Sequence, residues 1–181
     1  FGADQLGFNF YPQSPRFILP AVARSIIENL SADLVAVGVF VNEKIPMISR
    51  IAGEARLTVI QLHGEESPDD VIAVRQETGL EVIKALRVGP AFNLESVGDY
   101  AANAILLDSY SKTERGGTGT SFEWKLALEA QYAAMGVIYL AGGLSADNVA
   151  RAIHEARPYA VDVASGVESL PGKKDAEKMK K

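Results

Sequence analysis

The chain has 181 residues, a length typical of one domain and sufficient to bury about 70% of the surface that the unfolded chain exposes. Hydrophobic residues make up 48% and charged residues 23%, and the net charge of −5 argues against a nucleic-acid-binding surface. There is no cysteine, which excludes disulfides and thiolate metal sites, and no apolar run approaches the roughly 20 residues that span a bilayer. We expect a cytoplasmic protein that binds neither nucleic acid nor membrane.

Apolar runs rich in β-branched residues alternate with helical patterns, which is typical of parallel strands joined by helices. In chain order, the predicted strands are Leu6–Phe10, Leu34–Val41, Thr58–Leu62, Val82–Leu86, Ala104–Leu107, Val137–Leu140 and Tyr159–Val163. The predicted helices are Pro20–Leu30, Glu43–Gly53, Pro68–Thr78, Phe122–Tyr132 and Ala146–Glu155, with a weaker pattern at Phe92–Tyr100. Helix starts favour the residue types found at Pro20, Pro68 and Ser145.

This alternation permits a doubly wound open sheet or a (β/α)8 barrel. No G-x-G-x-x-G follows the first strand, which weakens the dinucleotide-binding version of the open sheet. Polar and glycine-rich clusters follow nearly every strand, and a barrel gathers those strand ends around one mouth. We therefore predict an α/β fold of the (β/α)8 barrel type, one domain over residues 1–181, although seven strands fall one short of closing it.

Two glycine turns follow the last two predicted strands, in "LAGGLSADNV" (140–149) and "ASGVESLPGKKD" (164–175). Small residues after a strand let backbone N–H groups converge on an anion, and a following helix N-terminus adds its dipole. Either turn alone is more often a simple chain turn than an anion site. As a pair in the last two positions they predict a phosphate site of the kind found in barrels that bind phosphorylated sugars. The amides would come from Gly142, Gly143, Ser165 and Gly166.

Further strand-end motifs read "GADQLGFNFYPQSPR" (2–16), "VGVFVNE" (37–43), "QLHGEE" (61–66), "LLDS" (106–109) and "GGTGTSFEW" (116–124). With the two glycine turns, they closely resemble the phosphoribosylanthranilate isomerase family in order and spacing over nearly the whole chain. The resemblance implies a (β/α)8 enzyme of tryptophan biosynthesis that uses no metal or organic cofactor. Its reaction is the Amadori rearrangement of N-(5-phosphoribosyl)anthranilate to 1-(2-carboxyphenylamino)-1-deoxyribulose 5-phosphate.

The resemblance assigns roles to four side chains outside the phosphate turns, and the position of Asp162 in the last predicted strand adds a fifth. Asp108 would be the general acid that opens the ribose ring, and removal from water at a strand end favours its protonated form; a helix cap is the plainer alternative. Arg16 would pair with the anthranilate carboxylate, unless it is a surface arginine. Gln61 and His63 would line the mouth, though a structural histidine stays open. Asp162 would hold a substrate hydroxyl or brace the phosphate turn.

The sequence departs from the family pattern at both ends. The family usually has a first β/α unit that reads like "VKICG", whose cysteine is the general base; this sequence opens at "FGAD" and assigns that role to no residue. We expect the first β/α unit and most of the last helix to be missing, and turnover by these residues alone to be weak. The exposed edges of the first and last strands would then be covered by another segment, a partner chain or each other. The glycines of "RGGTGTSF" (115–122) suggest a closing loop or, equally, a long surface loop.

Other functions stay open on the sequence alone. The chain could be a catalytically impaired paralogue or a phosphosugar-binding barrel that keeps the mouth without the base. Indole-glycerol-phosphate synthase chemistry would need lysine and glutamate at strand ends, and Lys84 lies within a predicted strand without an evident partner. In every case the expected ligand is a small phosphosugar, and we expect a monomer or a homodimer.

Overall fold

A computed structural model of the protein describes residues 2–89, 92–109, 121–134 and 136–180. They fall into two compact units, Phe1–Lys84 and Ala85–Lys181. Within the described ranges, no helix has the length and apolar character needed to cross a membrane.

Seven strands follow one another in chain order through a hydrogen-bonded sheet. They are β1 (Gln5–Asn9), β2 (Val35–Phe40), β3 (Val59–Leu62), β4 (Glu81–Val88), β5 (Ala104–Ser109), β6 (Val137–Ala141) and β7 (Ala160–Val161). The pairings from β1 to β4 and from β5 to β7 are parallel. Each predicted strand therefore exists in the sheet, and the predicted α/β class is confirmed. The last strand is shorter than predicted, because only two of its residues pair with β6.

Helices connect the strands, as the alternating pattern predicts. They are α1 (Pro20–Ile27), α2 (Ile45–Ala55), α3 (Pro68–Thr78), α4 (Ser121–Ala133) and α5 (Val149–Ala156), followed by the short α6 (Ala176–Met179). Prolines open α1 and α3, where the missing N–H has no helical acceptor to lose. A capping box between Ser67 and Asp70 also starts α3.

Two predicted helices are wrong in extent. Ser145 does not start α5, because the Asn148 side chain accepts the Ser145 N–H and keeps residues 146–148 in a turn, so the helix begins at Val149. The segment Phe92–Tyr100 contains only a 3₁₀ helix, Glu95–Asp99. The sequence pattern also gave no sign of the antiparallel hairpin β8 (Glu168–Leu170) and β9 (Lys173–Lys174).

Each unit has its own apolar core, built on the strands. In the first unit, Ile60 and Leu62 of β3 are completely buried. Gly38 of β2 leaves room for Leu57, whose side chain occupies the space that a Cβ would need. In the second unit, Ile105 of β5 is completely buried and Ile138 of β6 is 1% exposed. Buried strands thus support the loops at their carboxyl ends, where the predicted site residues lie.

Candidate active site

In the first unit, Gln61 and His63 lie at the carboxyl end of β3. Gln61 is buried in the strand, His63 is half-buried just beyond it, and the Gln61 Nε2 lies 2.9 Å from the His63 Nδ1. An amide nitrogen only donates, so in this orientation Nδ1 accepts and the neutral ring carries its proton on Nε2. In this tautomer Nε2 is the donor nitrogen of the ring.

A buried ion pair lies directly behind this histidine. Lys84 is 1% exposed, and its Nζ lies 2.7 Å from the Glu66 Oε2 and 2.6 Å from the Gly64 carbonyl oxygen. The other Glu66 oxygen accepts the Asn42 N–H at 2.7 Å, so the carboxylate also ties down the loop after β2. Lys84 therefore has a buried carboxylate partner that the sequence pattern did not indicate. A lysine inside a buried strand was itself the available signal, because burial without a counter-charge is prohibitively costly.

Arg16 lies in the loop between β1 and α1. The loop is anchored to the end of β1: the Ile18 N–H donates to the Asn9 carbonyl at 2.9 Å, and the Tyr11 N–H donates to the Asn9 side chain at 3.0 Å. Arg16 is half-buried, and its own N–H donates to the Ser14 Oγ at 3.1 Å. A guanidinium is thus held on an ordered loop at the carboxyl end of a strand.

In the second unit, two carboxylates flank the end of β6. Asp108 of β5 is half-buried and stands in register with Ala141, the residue before the Gly142 turn. On the other side of β6, the Asp162 N–H donates to the Leu140 carbonyl at 2.8 Å, and Asp162 is exposed. Asp108 therefore lies at the same sheet edge as the first glycine turn.

The first glycine turn has a conformation that favours glycine. Gly142 and Gly143 have φ angles of 85° and 65°, in the left-handed region. The Asn148 side chain spans the turn: it donates to the Gly143 carbonyl at 3.0 Å and accepts the Ser145 N–H at 2.9 Å. The sequence reasoning missed Asn148, although asparagine is a common turn-bracing residue. A Cβ built at Gly143 meets nothing within 4 Å, so the space beside this residue is open.

The second glycine turn packs directly on the first. A Cβ on Gly166 would collide with the Leu144 carbonyl oxygen, and it would also lie 2.9 Å from the Ser145 Cα. Only a glycine permits this backbone-to-backbone approach. The structure therefore brings together the four residues predicted to supply phosphate amides, Gly142, Gly143, Ser165 and Gly166.

The β8–β9 hairpin supports the second turn from its far side. The Lys174 Nζ lies 3.3 Å from the Ala164 carbonyl oxygen and 3.5 Å from that of Val163. In a trans peptide, a carbonyl and the following N–H point in opposite directions. Lys174 thus draws these carbonyls to its own side and leaves the N–H groups of Ala164 and Ser165 directed away from it. Sequence reasoning assigned Lys174 no role in the site.

The described residues hold most of the predicted site. The glycine-rich segment predicted as a closing loop is an exception, because residues 115–120 lie outside them. The first unit presents hydrogen-bond donors on strand ends, and the second presents a carboxylate beside a glycine turn pair. Together with the parallel β/α order, these features define an α/β protein with two packed glycine turns at the carboxyl ends of neighbouring strands.

Comparison with known proteins narrows this class to one family. The profile of a family described as "N-(5'phosphoribosyl)anthranilate (PRA) isomerase" matches residues 1–181. The N-(5'-phosphoribosyl)anthranilate isomerase of Trichlorobacter lovleyi is 48% identical over 99% of this chain and 85% of its own length. That of Pelobacter propionicus is also 48% identical, over 99% of this chain and 83% of its own length.

Solved structures agree with the sequence comparison. The phosphoribosyl anthranilate isomerase of Thermotoga maritima is 41% identical, with a TM-score of 0.87 over 99% of this chain and 85% of that one. The enzyme of Thermus thermophilus is 40% identical, with a TM-score of 0.85 over 98% and 84%. The chain therefore belongs to the N-(5'-phosphoribosyl)anthranilate isomerase family. The resemblance drawn from the sequence, and with it the expectation of an isomerase of tryptophan biosynthesis, is confirmed.

Proposed function

We propose that this chain catalyses the rearrangement of N-(5-phosphoribosyl)anthranilate to 1-(2-carboxyphenylamino)-1-deoxyribulose 5-phosphate. The family match and the relatives' shared name support the reaction. One solved relative, 39% identical with a TM-score of 0.83 over 99% of this chain and 84% of its own, is in complex with reduced 1-(o-carboxyphenylamino)-1-deoxyribulose 5-phosphate. The observation on this chain that carries the proposal is the close packing of Gly166 on Leu144, which joins the two glycine turns.

The phosphate of the substrate binds to the glycine turn pair. Its oxygens accept hydrogen bonds from the backbone N–H groups of Gly142, Gly143, Ser165 and Gly166. Backbone donors suit this task because their geometry is fixed before the ligand arrives. The open space beside Gly143 leaves room for the anion, and the neighbouring α5 directs its N-terminus toward the turn that precedes it.

Asp108 acts as the general acid. It protonates the ribose ring oxygen, the bond from that oxygen to C1′ breaks, and the anthranilate nitrogen forms a Schiff base with C1′. Loss of the C2′ proton then gives an enolamine, which tautomerises to the ketose. The position of Asp108 beside the first glycine turn supports this role, since phosphate and ribose ring belong to one small molecule. Asp162, on the other side of β6, binds a ribose hydroxyl or braces the second turn.

By the family resemblance, Arg16 and His63 serve the anthranilate end of the substrate in this proposal. The Arg16 guanidinium pairs with the anthranilate carboxylate, which matches its fork of donors. His63 donates from Nε2 to a substrate oxygen, and Gln61 fixes the ring through Nδ1. These roles use hydrogen-bond donors only, as suits a substrate rich in acceptor oxygens.

Several finer points belong to the same proposal. We infer a (β/α)8 barrel to which residues 1–181 contribute seven strands, with β1 and β7 each paired to one neighbour among the described strands. The group that removes the C2′ proton is assigned to no residue of this sequence. One solved relative is described as monomers generated from a dimeric phosphoribosylanthranilate isomerase of Thermotoga maritima, and that parent dimer supports a homodimer over a monomer. We also keep the cytoplasm as the proposed location and a small phosphosugar as the partner.

Turnover of N-(5-phosphoribosyl)anthranilate tests the proposal directly. The reaction leaves the mass unchanged, so substrate and product are separated by chromatography. We expect conversion by the wild-type protein that is lost with Asp108→Asn, while the product analogue still binds both proteins. Conversion that survives Asp108→Asn at the wild-type rate would remove Asp108 from the mechanism. Absence of both conversion and analogue binding in the wild type would overturn the proposed function.

A further inference from the structure

The buried Glu66–Lys84 pair makes contacts that surround one residue, His63. A backbone position is set by the two peptide planes on either side of its Cα. The plane before His63 is held because the His63 N–H donates to the Phe40 carbonyl at 2.8 Å. The plane after it is held because the Gly64 N–H donates to the Glu66 Oε2 at 2.9 Å.

Lys84 completes this arrangement, which we call the His63 clamp (Asn42, Gly64, Glu66 and Lys84). Its Nζ binds the same Glu66 oxygen and the Gly64 carbonyl, at 2.7 and 2.6 Å. The Asn42 side chain accepts the Glu65 N–H at 2.7 Å and occupies the space that a Cβ on Gly64 would need. The loop that follows His63 is thus held by charged hydrogen bonds, which are the strongest available in a protein interior.

The pair cannot touch a ligand that lies on the Gln61 side of the sheet. Lys84 stands in register with Leu62, whereas Gln61 stands in register with Ile83. Successive residues of a strand point to opposite faces, so Lys84 and Gln61 point to opposite sides. Lys84 and Glu66 are also 1% and 8% exposed. Any influence of the pair on a ligand must therefore pass through the residues that it holds.

A buried ion pair is a poor choice for stability alone. Well-packed apolar residues of similar size are often as stabilising or more so, because the two charges lose their hydration. This pair instead satisfies backbone groups of two loops at the exact residues that flank His63. Those groups need an acceptor and a donor, which apolar side chains do not supply.

We propose that the Glu66–Lys84 pair is a positioning device that fixes the backbone and ring of His63, and that it thereby sets the affinity for the anthranilate-bearing ligand. The second half of this statement rests on the proposed function. Glu66 and Lys84 are positioning residues, since they reach the ligand only through His63. The Gln61 bond favours the ring tautomer that carries its proton on Nε2, and the clamp holds the backbone from which that ring projects.

Nuclear magnetic resonance of [¹⁵N]histidine-labelled protein reads the positioning independently of any ligand. The chain has two histidines, so a His154→Gln variant assigns both signals. At a pH well above the ordinary histidine range, we expect a single tautomer of His63 with the proton on Nε2 in the wild type. Glu66→Gln removes one acceptor from the clamp and should give a mixture of both tautomers.

Calorimetry with reduced 1-(o-carboxyphenylamino)-1-deoxyribulose 5-phosphate gives the second readout. We expect Glu66→Gln to weaken its binding about tenfold, the equivalent of one lost hydrogen bond. Asp69→Asn is the matched control, because it removes an exposed carboxylate from the first turn of the same helix, α3. That control should lower stability while leaving the His63 tautomer and the ligand affinity unchanged.

A double variant separates positioning from stability. Lys84→Met with Glu66→Leu removes both charges, so unlike Glu66→Gln it leaves no unpaired ammonium group in the interior, and circular dichroism checks that it is folded. We expect it to lose the single tautomer and the tenfold affinity. A wild-type tautomer and wild-type affinity in the folded double variant would overturn the proposal. A mixture of tautomers with unchanged affinity would support the positioning role and contradict the contact between His63 and the substrate. A wild-type protein that does not bind the analogue would contradict the proposed function alone.

Discussion

The His63 clamp and the glycine turn pair (Gly142-Gly143 with Ser165-Gly166) position hydrogen-bond donors in opposite ways. The clamp must aim one side chain, and it does so with buried charges at 2.6 to 2.7 Å from their partners. The turn pair must present bare backbone, and it does so by removing side chains so that Gly166 can pack on Leu144. A side-chain donor thus depends on the charges behind it, and a backbone donor depends on the volume left empty around it.

This difference predicts how each region responds to mutation. Changes in the clamp act through charge and hydrogen bonding, so an isosteric substitution such as Glu66→Gln is already disruptive. Changes in the turn pair act through volume, so adding one methyl group is the informative substitution. The exposed Lys174 lies 3.3 to 3.5 Å from the carbonyls that it contacts. We expect these contacts to contribute far less free energy than those of the buried Lys84.

Asp108 is the side chain of the second unit whose loss should have the largest effect. Asp108→Asn keeps the shape and removes the transferable proton, so we expect kcat to fall about 10²- to 10⁴-fold. Phosphate affinity should stay within about twofold, because backbone amides bind the anion. Asp162→Asn is the comparison variant and should reduce kcat less. Equal losses of kcat in both variants would mean that Asp108 has no special part in proton transfer.

Gly166→Ala should produce the next largest effect, on stability. Its Cβ would collide with backbone atoms of Leu144, which cannot turn aside as a side chain can, so we expect a loss of about 3 kcal/mol in the free energy of unfolding. Gly143→Ala places its Cβ in open space and has only the positive φ to accommodate, which costs about 1 kcal/mol. Urea unfolding of the two variants compares these costs. If both lose the same amount, the turns are not held together by the close approach at Gly166.

Lys174→Met should weaken phosphate binding moderately. Without its ammonium group the Val163 and Ala164 carbonyls are no longer drawn away from the anion, and we expect about a threefold loss of affinity that diminishes in high salt. Lys173→Met, on the neighbouring and exposed position of β9, is the matched control. Calorimetric titration with inorganic phosphate measures both. A larger loss in the control would show that general charge, and not the carbonyl contact, is responsible.

The smallest expected effect concerns acid and lies beside the clamp. The Ser67 hydroxyl, followed by the Ser67 N–H, lowers the pKa of Asp70 below its ordinary 3.8. A lowered folded-state pKa means that the stabilisation is present above 3.8 and is lost as the pH falls through the folded value. Ser67→Ala should therefore destabilise the protein near neutral pH, and the difference from wild type should shrink on acidification. Unfolding curves in which that difference grows with acid would contradict the capping role.

Much of this fold follows from local pattern, because a buried parallel strand needs a continuous apolar run. Strands such as β3 and β5 are visible for that reason, and Pro68 marks the start of α3 correctly. The predicted start of α5 lies three residues before the observed one. The Asn148 side chain binds the Ser145 N–H and so competes with helix formation at residues 146–148. The local sequence pattern does not show whether a side chain such as that of Asn148 will replace a backbone hydrogen bond of the helix.

The site was predicted less completely than the fold, for a different reason. Strand-end position and family motifs suggested Asp108 and the glycine turns as candidates, since each pattern is visible within a few residues. Glu66, the partner of Lys84, lies 18 residues earlier in the chain. Leu144, which Gly166 contacts, lies 22 residues before Gly166. Such pairings depend on how neighbouring strands align, and the sequence of a single chain does not reveal that alignment.

The central claim is that the glycine turn pair binds the phosphate and His63 contacts the rest of the ligand. Its most direct test is a pair of titrations followed through the amide resonances of ¹⁵N-labelled protein. With inorganic phosphate, the account predicts that the N–H signals of Gly142, Gly143, Ser165 and Gly166 shift together along one binding curve, while those of His63 and Gly64 stay in place. With reduced 1-(o-carboxyphenylamino)-1-deoxyribulose 5-phosphate, both sets should shift at one common dissociation constant. Shifts of His63 with phosphate alone, or movement of Gly143 without Ser165 and Gly166, would contradict the account.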